Sequence, residues 1–221
     1  MVSTWDLIKS GNFEEACKIA DGEASTTGEL ALRNKVFALL HLKRTREAIT
    51  LCEELIKRVN GASDSDFIKL GVAHWLTNNR DQAVESWQRG LDTKYTDAAG
   101  GIRVPLLLYY ASVRISDEKL RKDSAKRLGK LSKGKSTCNW PGPLGSFLLD
   151  VCTESSLFAT VTKNPVLRER QLCQAHFYVG VKCSGADETD RYRENMRLAC
   201  SRDPVSYLEA EYYLSKAEYE S

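Results

Sequence analysis

The sequence predicts an all-α chain of stacked helical hairpins. Three observations carry that expectation. Apolar residues recur at i, i+3, i+4 and i+7 through most segments, the spacing of helices with one buried face. Strand signals are scarce, and the five prolines fall late, at 105, 141, 143, 165 and 204. A small residue also recurs early in successive second helices: Ala16, Ala48 and Ala83 are 32 and 35 residues apart.

The elements follow in order. Gly11-Asn12-Phe13-Glu14-Glu15-Ala16 reads as a turn and the start of a second helix. Residues 30–42 form a helix with a Leu32, Val36, Leu39, Leu40 stripe, while Arg33 and Lys43 lie off it. Residues 47–59 repeat the pattern with Ala48, Leu51, Cys52, Leu55 and Ile56, so the two make an αα-hairpin. The next hairpin carries Phe67, Leu70, Gly71 and His74 in its first helix, then Ala83 and Trp87. Gly71 lets the second helix approach, Ala83 sits at the crossing and the large residues fill the groove. Each hairpin keeps an apolar face and must stack on a neighbour.

Beyond residue 100 the frame blurs. Gly100-Gly101 is a flexible junction. Residues 104–115 and 117–131 read as a helix pair with Ser116 as N-cap. A Lys-, Gly- and Pro-rich loop spans 132–143, short helices span 144–152 and 154–161, and Asn164-Pro165 breaks the chain. His176, Val179, Gly180 and Cys183 resume the frame, with Tyr192 where a small residue belongs, which predicts a wide crossing. Residues 205–219 form a helix that caps the array. The organisation expected is 1–99, 100–167 and 168–221.

With 42% hydrophobic and 28% charged residues, the 221-residue chain has enough apolar surface for a core, which excludes disorder. Residues 1–10 hold one basic residue, Lys9, and no apolar run follows, so no signal peptide is expected. No stretch approaches the about 20 apolar residues of a membrane span. The seven cysteines are scattered, odd in number and without a Cys-x-x-Cys pair, the pattern of reduced thiols in a cytoplasmic protein. The ends are acidic and the middle basic: residues 1–31 and 184–221 are each net −4, and 114–135 is net +6.

Candidate chemistry is sparse. His41, His74 and His176 have no Ser, Cys or acid beside them in a catalytic arrangement. Cys173, His176 and Cys183 share a helical stripe, but a core stripe has the same spacing and the pairing typical of structural zinc is missing. No Gly-rich phosphate loop is present. No catalytic residue, metal or cofactor is therefore expected. Lys119, Lys122, Lys126, Lys130 and Lys133 recur every three or four residues and share one helix face. Such a row is a solvated face, a dock for an acidic protein, or a phosphate-backbone contact. No aromatic residue interleaves with it, so base stacking is not expected.

Residues 6–92 and 168–219 resemble tetratricopeptide-repeat proteins, whose signature is W-x2-L-G-x2-Y, then A-x3-F, on a period of about 34 residues. Residues 139–143, Asn-Trp-Pro-Gly-Pro, with the helices after them, are similar to bacterial repeat proteins related to outer-membrane lipoprotein adaptors, although no lipobox is present. The resemblance implies a right-handed superhelix whose first helices line a concave groove for another protein. On this chain Arg33, Asn34, Phe37 and His41 would line it, then Ile68, Lys69, Val72 and Trp75, then Tyr109. Some of these residues would equally fill the packing between repeats. Arg33, Asn34 and Lys69 match only part of the carboxylate clamp of chaperone-binding members. The function expected is a non-enzymatic scaffold for a dedicated partner protein, either an adaptor or an immunity-type inhibitor of an effector. Self-association is left open and no membrane contact is expected. The alternative is a nucleic-acid-associated factor using the basic face at 119–135.

Overall fold

The computed structural model describes residues 2–186, 188–201 and 204–221. Among them the chain is all-helical: no strand forms, and a single bridge pairs Ser63 with Tyr95. The helices are α1 (Thr4–Lys9), α2 (Phe13–Thr27), α3 (Glu29–His41), α4 (Thr45–Arg58), α5 (Asp64–Leu76) and α6 (Arg80–Arg89). They continue with α7 (Arg103–Arg114), α8 (Glu118–Leu131), α9 (Gly142–Leu148), α10 (Glu154–Ala159), α11 (Pro165–Gly185), α12 (Thr189–Cys200) and α13 (Ala210–Glu220). One 3-10 turn, Lys135–Cys138, lies in the basic loop, and a second, Pro204–Leu208, precedes α13. No helix among the described residues is long and apolar enough to cross a membrane.

The first eight helices pair through one recurring turn. Gly11, Lys43, Asn78 and Ser116 all take positive φ, between 56° and 77°. At each, the amide of the following residue reaches back to a carbonyl of the helix just ended: Asn12 to Leu7, Arg44 to Leu39, Asn79 to His74 and Asp117 to Ser112, at 2.8–3.0 Å. This left-handed C-terminal closure satisfies a carbonyl the helix would otherwise leave bare. It also corrects one expectation. Ser116 is the left-handed residue of the turn, and the N-cap of α8 is Asp117, whose carboxylate accepts from the Leu120 amide at 2.9 Å.

Each helix packs on the next along the chain, and Ala16, Ala48 and Ala83 are fully buried at the crossings. Gly71 lies against the Trp87 indole, whose Nε1 donates to the Ile68 carbonyl at 3.2 Å. A Cβ at position 71 would come within 2.6 Å of that ring. Gly71→Ala is expected to cost about 1–3 kcal/mol in chemical denaturation, by overpacking. An unchanged midpoint would show that the indole can move aside. Gly180 plays the same part in the last hairpin, against Met196 and Asn195, so the side chain of Tyr192 is free to point elsewhere.

The chain then folds back on itself. Helix α11 packs on α7, the turn Pro204–Leu208 on α1, α3 and α11, and α13 on α5, α11 and α12. The expected cap is thus two pieces that cross the inner face of the earlier hairpins.

Candidate docking surfaces

The residues placed by sequence along an open groove are mostly covered. Phe37, Ile68, Lys69, Val72 and Trp75 are each at most 6% exposed, and Asn34 is 9% exposed. Tyr213 of α13 stacks on Phe37, rings 5.6 Å apart and 7° from parallel, and its hydroxyl donates to the carbonyls of Phe37 and Tyr207. Trp75 packs against Trp87 and Tyr110, which continues to Phe177 of α11. Tyr109 is half-buried beside this column.

The cations along that face already have partners within the chain. Arg33 grips Asp66 bidentately, Nε–Oδ1 2.6 Å and Nη2–Oδ2 2.8 Å. Lys69 gives its ammonium to Ser65 and sits 5.0 Å over the Phe37 ring, and burial pulls its pKa down to about 8. Three glutamates at the C-terminal end enter the interior. Glu209 is held by Arg170, Arg103 and the Gln174 amide. Glu211 faces Arg103 at 3.7 Å and accepts from Gln174 and Tyr178. Glu218 accepts from Tyr110 at 2.5 Å and Tyr192 at 2.7 Å and pairs with Arg114 at 2.9 Å. Sequence reasoning missed these carboxylates. Their signal was a run of glutamates, Glu209, Glu211, Glu218 and Glu220, spaced through a largely apolar and aromatic segment.

His41 marks the part of the inner face that stays open. Its ring stacks on Phe13 at 3.8 Å and adjoins Tyr207, Tyr212 and Tyr213. A cavity of about 260 Å³ opens beside it, edged by Leu76, Lys43 and Lys216. Burial first, and Lys216 second, hold the His41 pKa down to about 4, so the imidazole is neutral near pH 7. His176 lies elsewhere, bonded to Asn195 at 3.0 Å on the stripe whose Cys173 and Cys183 are buried.

The α8 face differs. Lys122, Lys126, Lys130 and Lys133 are exposed and have no acidic partner among the described residues. Lys119 pairs with Asp123 at 2.9 Å but stays 90% exposed, so that pair contributes little. Arg121 pairs with Glu118, and Arg127 bridges to Asp92 and the Leu91 carbonyl. Lys122, Lys126 and Lys130 span 8 residues of α8, about 12 Å along the helix axis at 1.5 Å per residue, and Lys133 follows just past its end.

No known protein family, characterised protein or solved structure matches the chain.

Proposed function

We propose that this chain is a non-enzymatic, tetratricopeptide-like scaffold that docks an acidic partner protein on the outer face of α8. One contrast carries the reading. The inner cations Arg33, Arg103, Arg114 and Arg170 face the chain's own carboxylates, whereas Lys122, Lys126, Lys130 and Lys133 face solvent. An acidic partner gains most from cations not already neutralised, through steering and complementarity. The four equivalent turns support a repeat of one hairpin unit. The seven free thiols support a reducing compartment, the cytoplasm. An adaptor, or an inhibitor that covers an effector's basic-seeking surface, both fit.

The test is capture of the partner from native cells by the wild-type chain and by the Lys122→Glu/Lys126→Glu variant. Both substitutions are on exposed positions, so the helical circular dichroism should not change. The reversal is expected to slow association at least tenfold and flatten its salt dependence. Equal capture by both forms would sink the docking face. The same lysines could track a phosphate backbone. Salt-sensitive retention of generic duplex RNA or DNA by the wild-type chain, with no protein captured, would favour that second reading.

A further inference from the structure

We propose that the cavity enclosed by α6, α7 and α8 is an anchor pocket, taking one tyrosine side chain from a partner segment that is acidic on either side. This rests on the reading of the α8 lysine row as the docking face, and it names the chemistry of the partner.

The cavity measures about 330 Å³. Its walls are apolar where Leu91, Pro105, Leu108 and Leu120 line it, with Ser124 among them and two charged residues at the edge, Arg127 and Asp123, the latter paired with Lys119 at 2.9 Å. That volume is at the lower end of small-ligand sites, which run about 300–1,000 Å³, and suits one aromatic side chain. Arg127 holds the edge in place through Asp92, at 2.6 Å, and the Leu91 carbonyl, at 2.9 Å.

Ser124 is the observation that points to a ligand. It is only 4% exposed, and its hydroxyl has no hydrogen-bond partner among the described residues. Helical serines usually satisfy themselves on the carbonyl four residues back. Ser86 does so with Gln82 at 2.7 Å and Ser132 with Leu128 at 2.8 Å. Ser124 does not, and it lines the cavity instead. A buried hydroxyl without a partner is unfavourable. A group that enters with a polar tip relieves it, and a serine hydroxyl can donate or accept. Tyrosine offers an apolar ring for the leucines and a hydroxyl for Ser124, and tyrosine is among the residues that anchor protein interfaces.

Placement supplies the acidic flanks. Leu120, Ser124 and Arg127 face the cavity at i, i+4 and i+7. Lys130, Lys126 and Lys122 lie about 90°, 130° and 170° round the same helix from that face, at 100° per residue. A segment seated with one ring in the cavity therefore reaches Lys130 and Lys126 first as it leaves, and carboxylates are complementary there.

The experiment uses three fluorescent 12-residue peptides, Glu-rich and identical except for a central Tyr, Phe or Ala. Binding to the full chain is read by polarisation. The Tyr peptide is expected to bind at least tenfold tighter than the Ala peptide. Ser124→Leu, which fills the cavity, should erase that advantage and leave Ala-peptide binding unchanged. Ser124→Ala, which cannot overpack, should erase the preference for Tyr over Phe. Equal binding of Tyr and Ala peptides to the wild-type chain, with Lys122→Glu/Lys126→Glu still weakening both, overturns the pocket and leaves the docking face standing. Failure of every peptide to bind, or binding that ignores the lysine reversal, removes the docking face and the pocket with it. A single-stranded oligonucleotide that binds more tightly than any peptide, and is lost on the same reversal, overturns an acidic polypeptide as the occupant.

Discussion

Trp75→Ala is expected to lower the unfolding free energy by about 3–5 kcal/mol, the usual cost of emptying a large aromatic site in a core. The resemblance to tetratricopeptide repeats puts Trp75 in a binding groove, where its loss would weaken a partner and leave the helices standing. In the fold it is 2% exposed, with Tyr110 at 4.9 Å, Trp87 at 5.6 Å and the Arg80 guanidinium 3.9 Å over its ring. Arg80 also donates to the Trp75 carbonyl at 2.9 Å, so α5 and α6 are joined at this point. Domains commonly have only about 5–15 kcal/mol of stability, so this one change removes a large share. The indole Nε1 is buried and has no partner among the described residues, so Trp75→Phe gives up no hydrogen bond there and should cost less than half as much. Urea denaturation followed by circular dichroism measures both. A loss below about 1 kcal/mol for the alanine variant would mean the column around Trp75 is not packed, since emptied cores cost more than that.

Arg103→Met should be similarly damaging, and its effect should depend on pH. Glu211 is 1% exposed, and Arg103 is its cationic partner, at 3.7 Å. Glu209 keeps Arg170 when Arg103 is removed, but among the described residues Glu211 is left with neutral partners, Gln174 and Tyr178 among them. Removing one member of a buried pair commonly costs about 3–5 kcal/mol, because the other charge is stranded. Burial already pushes the Glu211 carboxyl above its ordinary pKa, and Arg103 is the strongest influence opposing that rise. A carboxyl whose folded pKa is raised favours the fold while protonated and disfavours it once pH climbs past that pKa. Without Arg103 the folded pKa rises further. The gap between Arg103→Met and wild type should therefore be widest near pH 8 and shrink toward pH 5. A gap that stays constant over that range would show that Glu211 does not titrate with the fold.

The helices themselves were readable locally. The pattern predicting 30–42 and 47–59 became Glu29–His41 and Thr45–Arg58, and 117–131 became Glu118–Leu131. The cap of α8 was misread by one residue. Ser116 and Asp117 are both good capping residues, and the left-handed turn that closes α7 takes Ser116 and leaves Asp117 to cap. The groove residues were placed on an inner face by the resemblance to tetratricopeptide repeats. Periodicity reports which side of a helix is apolar, and an apolar side looks the same whether it awaits a partner or is covered from within. The cavity holding Ser124 was not visible at all, since helical serines on exposed and buried faces read alike.

The sequence by itself determined the helical class, the hairpin spacing, the buried alanines at the crossings and the lysine row on α8. The class and the lysine row depend on residues three or four positions apart, about one helical turn, and the hairpin spacing on a small residue that recurs every 32 to 35 positions. Only the tertiary structure decided that the inner face is filled. Tyr213 reaches Phe37 across 176 residues, and Arg103 reaches Glu209 across 106. Contacts at that separation form because the C-terminal segment folds back across α1, α3 and α5 and buries its carboxylates against matching cations, a pairing that leaves no period in the chain to read.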